Sequence, residues 1–155
     1  YLHIHIHMQI RRATTKDASA IIDHNIQLAK ESEDEHLDPL IAKQGVLTLF
    51  SHPEKGFYLI AEENDTIIGQ LMITFEWSDW RNKDIWWIQS VYVQKEYRGK
   101  GVFTALYKEI QKQAKQQHIP LLRLYVHKDN EHAQQVYDRK GMIKGTYIFY
   151  EAIVE

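Results

Sequence analysis

The sequence predicts a single α/β domain whose mixed β-sheet is flanked by about four helices, and three observations carry this prediction. The chain has 155 residues, of which 44 % are hydrophobic, which suits one compact domain with its own core. Short apolar runs of strand type alternate with stripes of helical spacing in the order β-α-α-β-β-β-α-β-α-β. One run, Ile85 to Val93, is almost continuously apolar, which is typical of a central strand covered on both faces.

The first half of the chain provides an N-terminal strand, two helices and a hairpin. Thr15 and Asp17 are helix-capping residue types, and an apolar stripe of helical spacing follows them. Glu63 to Asp65 has the composition of a turn between two apolar strands. The predicted elements are a strand at Gln9 to Arg12, helices at about Asp17 to Lys30 and Asp38 to Phe50, and strands at Phe57 to Ala61 and Thr66 to Glu76.

The second half continues this alternation after a polar loop that carries two tryptophans. Gly141 follows the last helical stripe and is a favourable residue for ending a helix. The predicted elements are a strand at Ile85 to Val93, a helix at Gly101 to His118, a strand at Leu121 to Val126, a helix at Asn130 to Lys140 and a strand at about Thr146 to Val154.

Composition excludes several classes of function. Lys plus Arg number 19 against 21 for Asp plus Glu, so the basic excess of a nucleic-acid binder is missing. Cysteine is absent, which excludes disulfides, thiolate metal sites and a cysteine nucleophile. No apolar run reaches the ~18 residues of a membrane span, and the chain start lacks the pattern of a secretory signal. We therefore expect a cytoplasmic domain with no nucleic-acid or membrane partner.

The first seven residues alternate histidine with apolar residues and run into Met8. We interpret residues 1–7 as a tag remnant or N-terminal extension and assign the domain to residues 8–155. In an extended strand, His3, His5 and His7 would share one face and could capture a metal ion. A tag remnant or a strand extension is the favoured interpretation, and no metal site is predicted.

The segment from Arg98 to Phe103 has the properties of an anion site. It joins the apolar strand to a helix, and the first N–H groups of a helix lack intrahelical partners and carry partial positive charge. Gly99 and Gly101 allow a sharp turn and close approach of a ligand, while Arg98 and Lys100 add positive charge. The spacing matches neither a P-loop nor a dinucleotide fingerprint.

This segment resembles the Q/R-x-x-G-x-G/A acetyl-CoA signature of the GNAT superfamily of N-acetyltransferases, although Phe103 stands where the family has glycine or alanine. The resemblance covers the chain from about Met8 and implies a GNAT-like sheet with a splayed central strand. It also implies that the turn amides grip the cofactor pyrophosphate and that Gln89 to Val93 is the splayed strand that pairs with the pantetheine arm. The cofactor-binding residues so implied are Val91, Tyr92, Val93, Arg98, Gly99, Lys100, Gly101, Val102 and Phe103.

A second match to the family lies in the last predicted helix. Asn130, Ala133 and Tyr137 fall on one helical stripe, because Ala133 and Tyr137 follow Asn130 by three and seven residues. Small Ala133 would let the pantetheine arm lie close, and Asn130 would hydrogen-bond to it. In the family a tyrosine like Tyr137 is a common general acid that protonates the departing thiolate; a half-buried core aromatic is the alternative reading.

Acetyl transfer to an amine requires a neutral amine, so a general base is expected. Glu76 is the first candidate and Asp79 the second, with a solvated carboxylate as the alternative for both. Polyamine acetylators of the superfamily carry acidic residues where this chain has Gln89 and Ser90. Because the chain has no cysteine and Ser90 has no evident base, we predict direct attack within a ternary complex.

The acceptor side has three candidate features, each with a structural alternative. The predicted loop Glu31 to His36 is acidic and would favour a cationic acceptor, unless it is only solvated. Trp77 and Trp80 could cover an amine, although surface packing or a dimer contact is favoured. His127 and His132 flank the Asn130 turn and could act as a base, although a strand end and a first-turn helical residue are the favoured interpretations.

The sequence therefore predicts an acyltransferase that moves acetyl from acetyl-CoA to a primary amine of a small molecule or peptide. A catalytically silent acyl-CoA-binding or sensory domain on the same fold is the alternative. A homodimer through the aromatic, apolar segment from Tyr147 to Val154 is a further expectation.

Overall fold

The computed structural model describes residues 7–33 and 35–155, so most of the predicted tag remnant lies outside the described residues. The strands are β1 Gln9–Arg12, β2 Gly56–Glu63, β3 Thr66–Ser78, β4 Lys83–Val93 and β5 Leu122–Arg123, and the helices are α1 Ala18–Glu33, α2 Pro39–Ser51, α3 Val102–Gln116 and α4 Glu131–Arg139. The predicted mixed sheet with about four helices is confirmed. The chain divides into two compact units, of which the first ends at Leu124 and the second is Tyr125–Glu155.

The sheet has the strand order β1-β2-β3-β4-β5, and only β4 and β5 are parallel. The contact between β4 and β5 is short, with Trp86 opposite Leu122 and Trp87 opposite Arg123. The prediction of a strand from Leu121 to Val126 is therefore too long, because strand structure persists only where a neighbour supplies hydrogen-bond partners. From Ile88 onward, β4 has no register partner in β5 within the described part of the chain, which is the predicted splay.

Helices cover both faces of the sheet. On one face, α1 and α2 bury a cluster with β2 that contains Ile21, Val46, Leu49, Tyr58 and Ile60. On the other face, Val102 and Leu106 of α3 pack against β3, where a Cβ added to Gly69 would stand 2.6 Å from Val102 Cγ1. A glycine in the middle of β3 thus allows α3 to lie close to the sheet.

The N-terminus of α1 is fixed by a buried carboxylate. Asp17 accepts hydrogen bonds from the Thr14 backbone N–H at 2.7 Å and from two guanidinium nitrogens of Arg11 at 2.8 and 2.9 Å. Arg11 holds the pKa of Asp17 below its ordinary value. The helix runs to Glu33, so the predicted end at Lys30 is wrong, and Glu31 belongs to α1 rather than to a loop.

The predicted C-terminal strand is also wrong: within the second unit, residues 143–155 form no strand. The alternation of apolar and aromatic residues favours a strand, but propensity alone does not create one without a neighbouring strand to pair with. The apolar side chains of this segment are exposed, namely Ile143, Tyr147, Ile148, Phe149, Tyr150, Ile153 and Val154. No helix among the described residues is long and apolar enough to cross a bilayer.

Candidate active site

The backbone of β4 is irregular at the point where the strand parts from β5. In the register with β3, Gln89 lies opposite Met72 and Tyr92 lies opposite Gln70. Ser90 and Val91 therefore both face the single residue Leu71, which defines a β-bulge. The bulge and the short β5 remove this stretch from the regular ladder, so its backbone groups can serve a ligand.

The turn between β4 and α3 supplies a second backbone feature. Gly99 and Gly101 have φ angles of 73° and 85°, in the left-handed region that favours glycine. A Cβ built on either residue meets no described atom within 4 Å, so open space lies over both glycines. Gly101 is the N-cap of α3, and no side chain among the described residues caps that helix. This open turn fits the predicted pyrophosphate cradle.

The two basic side chains that adjoin Gly99 have different surroundings. Arg98 Nε donates to the Val93 carbonyl at 2.8 Å, and Arg98 NH2 lies 2.6 Å from Glu31 Oε2. The guanidinium therefore ties the turn to the end of β4 and to α1, and an incoming phosphate would compete with Glu31. Lys100 Nζ lies 5.7 Å from the centroid of the Tyr97 ring, at the surface of the turn.

Phe103 is the position at which the sequence departs from the family signature. Its ring stacks on Tyr107, one helical turn further along α3, with 5.9 Å between the ring centroids. The side chain therefore packs along the helix, and Val102, its neighbour, is buried against the sheet.

The second unit carries the predicted residues of α4. The side-chain oxygen of Asn130 accepts a hydrogen bond from the Ala133 backbone N–H at 3.1 Å, so Asn130 caps the helix. Tyr137 is half-buried, and burial raises the pKa of its hydroxyl group. The phenol is therefore protonated at neutral pH. Met142 N–H bonds the Tyr137 carbonyl at 3.1 Å and ends the helix.

Glu76, the predicted base, is held by two other side chains. Its carboxylate accepts from Trp87 Nε1 at 3.2 Å and forms an ion pair with Arg123 at 3.2 Å. Glu76 lies opposite Ile85, four residues before Gln89, which corresponds to about 13 Å along the strand. The structure therefore does not bring Glu76 to the bulge, and Asp79 lies further away in the exposed β3–β4 turn.

The other predicted acceptor features lie at the surface. Trp77 and Trp80 are 64 % and 89 % exposed, so neither packs over a built pocket. His127 accepts from the Asp129 backbone N–H at 3.2 Å and shapes the turn before α4, while His132 is exposed. Among the described residues, no group of three or more His, Asp or Glu could hold a metal ion.

A buried polar network that the sequence pattern did not predict reaches the bulge. Gln70 in β3 is 0 % exposed, and its amide bonds to His24, Asn25 and the Ser90 carbonyl. The available signal was a glutamine in the middle of an otherwise apolar strand, since buried polar groups persist only with partners.

Comparisons with known proteins find a family that matches most of the chain. A model described as the acetyltransferase (GNAT) family matches residues 19–142. A solved structure of a possible acetyltransferase from Clostridium difficile 630 is 40 % identical, covers 96 % of this chain and 98 % of its own, and superposes with a TM-score of 0.90. A search of curated proteins found no match.

Two more distant structures show the fold alone. A predicted acetyltransferase with acetyl-CoA from Clostridium acetobutylicum is 23 % identical over 94 % of this chain and 96 % of its own, with a TM-score of 0.78. A ribosomal-protein-alanine N-acetyltransferase from Brucella melitensis biovar Abortus 2308 is 16 % identical over 96 % of this chain and 99 % of its own, also with a TM-score of 0.78.

Proposed function

Because this chain belongs to the acetyltransferase (GNAT) family and is an acyltransferase, we propose that it moves the acetyl group of acetyl-CoA directly to a primary amine. The acceptor is a small molecule or a peptide, and residues 8–155 form the catalytic domain. The observation that carries the proposal is the open turn at Gly99 and Gly101, placed directly after a bulged strand that leaves its neighbour. The neighbour solved with acetyl-CoA supports this choice of donor.

In this proposal the donor is held mainly by backbone. The turn amides from Gly99 to Phe103 hold the pyrophosphate, with Lys100 adding charge, and the edge of β4 from Val91 to Val93 holds the pantetheine arm. The family resemblance also assigns contacts with the arm to Asn130 and Ala133. The backbone N–H at Val91 stabilises the charge that develops on the thioester oxygen.

The transfer is a direct displacement. The amine nitrogen attacks the thioester carbon, the C–N bond forms, and the C–S bond breaks as the tetrahedral intermediate collapses. Tyr137 gives its proton to the departing thiolate, and its raised pKa keeps that proton in place at neutral pH. The amine loses a proton to a base or to water. Glu76 stays the predicted base, although its ion pair with Arg123 and its distance from the bulge favour transfer of this proton to water instead.

The decisive experiment measures free thiol released from acetyl-CoA with a panel of primary amines. We expect turnover by the wild type and a fall in kcat of about 10²-fold in Tyr137→Phe, the lower end of the range for general acids. Tyr125→Phe is the matched control, since this tyrosine is 60 % exposed and lies outside residues 146–154. Binding of acetyl-CoA without thiol release for any amine would instead support the silent binding domain.

Two further sequence predictions are proposed together with this function. The cytoplasmic location is one of them. The other is a homodimer through residues 146–154, which is supported by the row of exposed apolar side chains in that segment. Light scattering should give twice the chain mass for the wild type and a single chain mass for Ile148→Asp; a wild-type monomer at micromolar concentration would contradict the dimer.

A further inference from the structure

The buried amide of Gln70 is unusual in the core of this sheet. It is 0 % exposed in the middle of β3, between Gly69 and Leu71. Burying an amide is unfavourable unless its polar atoms are all bonded. Nε2 of Gln70 donates to Asn25 Oδ1 at 2.9 Å and to the Ser90 carbonyl at 3.1 Å, and Oε1 faces His24 Nδ1 at 3.1 Å.

These bonds fix the orientation of the amide and the tautomer of His24. Because Nε2 of Gln70 has two acceptors, Oε1 must be the atom that faces His24, so Nδ1 of the ring carries the proton. The other ring nitrogen then accepts from Gln94 Nε2 at 3.4 Å. Burial lowers the pKa of His24, which keeps the ring neutral and the network in one arrangement.

The acceptor of this network is the most irregular peptide of β4. Ser90 has a φ angle of 50°, although it is neither a glycine nor in a turn. Such a conformation is unfavourable for a residue with a side chain and persists only where the surroundings impose it. The Gln70 amide bonds the carbonyl of this residue, and Ser90 forms the bulge with Val91 opposite Leu71.

We propose that Gln70, oriented by His24, is a positioning residue that holds the Ser90 peptide in its left-handed conformation and thereby aims the Val91 backbone N–H at the thioester. This inference rests on the proposed function, because the bulge matters to catalysis only if acetyl-CoA lies along β4. Gln70 itself touches no reacting atom. An apolar residue could fill the same space, but it would leave the Ser90 carbonyl without its donor.

The test uses Gln70→Met, which keeps the length of the side chain and removes both the donor and the acceptor. We expect the dissociation constant of acetyl-CoA, measured by calorimetry, to rise at least about tenfold, and kcat to fall as well. Ile73→Ala is the matched control, because Ile73 is equally buried in β3 but, three residues from Gln70, lies on the opposite face of the sheet. It should lower the melting temperature and leave acetyl-CoA binding within about twofold of the wild type.

A rescue experiment separates positioning from a loss of core packing. Glycine adopts the left-handed conformation without strain, so Ser90→Gly introduced into Gln70→Met should recover most of the lost affinity. Ser90→Ala in the same background should recover none. Affinity of Gln70→Met equal to the wild type, a loss no larger than that of Ile73→Ala, or equal recovery by alanine and glycine would each overturn the inference.

The bulge can also be followed without any ligand. The ¹³C chemical shifts of Ser90 in the free protein report its backbone conformation, and we expect them to move toward ordinary strand values in Gln70→Met. Unchanged shifts would refute the role of Gln70. Failure of the wild type to bind acetyl-CoA, with the shifts changed as expected, would refute the proposed function and leave Gln70 as the residue that holds the bulge.

Discussion

Replacing Gly101 by alanine tests the proposed cradle directly. Gly101 has a φ of 85°, and no described atom lies within 4 Å of an added Cβ, so the substitution causes strain but no clash in the free protein. A left-handed alanine costs about 1–2 kcal/mol. For a domain of this size each kcal/mol corresponds to roughly 2–4 °C, so the melting temperature should fall by about 2–8 °C.

The same substitution should weaken the binding of acetyl-CoA more than it destabilises the fold. The added Cβ stands in the open space that the pyrophosphate would occupy, and we expect at least about tenfold lower affinity. Acetyl-CoA at 100 times the wild-type dissociation constant stabilises the wild type by about 2.7 kcal/mol, whereas tenfold weaker binding gives about 1.4 kcal/mol at the same concentration. The ligand-induced thermal shift of Gly101→Ala should therefore be about half that of the wild type or less.

Gly45→Ala is the control for this pair of measurements. Gly45 lies within α2, has no described atom within 4 Å of an added Cβ, and is not among the glycines with positive φ. Alanine should stabilise this helix by about 0.5–1 kcal/mol and leave the acetyl-CoA shift unchanged. If acetyl-CoA raised the melting temperature of Gly101→Ala by as much as that of the wild type, the turn would not hold the donor. The proposed pyrophosphate site would then be refuted.

Two further substitutions test the charged groups. Arg11 holds the pKa of Asp17 below its ordinary value of 3.8, so this carboxylate contributes stability above that pH and loses it as the pH falls further. Asp17→Asn should lower the free energy of unfolding by about 2 kcal/mol at pH 7, measured by urea titration. Below about pH 4 the free energy of unfolding should fall less steeply with pH in the variant than in the wild type. An equally steep fall in both proteins would contradict this. Glu76→Gln should leave kcat/KM within about twofold of the wild-type value, because the carboxylate is paired with Arg123 and lies about 13 Å from the bulge along the strand. A loss of about 10²-fold or more would instead establish Glu76 as the base.

The sequence determined by itself those features that depend on local pattern. The apolar run at Ile85 to Val93 predicted the central strand, and helical periodicity predicted α3 and α4. The spacing of Gly99 and Gly101 after a strand predicted a sharp turn, and in the structure both residues have the left-handed backbone that glycine adopts without strain.

Other features were decided only by tertiary structure, because they depend on partners distant in sequence. The strand predicted at residues 146–154 finds no neighbour in its unit, and a strand without a partner does not form. Glu31 looked like a free acidic charge, but α1 continues through it and pairs it with Arg98, 67 residues away.

The bulge shows this limit most clearly. Ser90 is an ordinary strand residue by sequence, and its left-handed backbone follows from an unequal register between β3 and β4. The Ser90 carbonyl accepts a hydrogen bond from Gln70, which lies 20 residues earlier in the sequence. His24 of α1 orients the amide of Gln70. These three residues come together only when α1 packs on the sheet, because the hydrogen bonds that stabilise the bulge join three different elements of the chain.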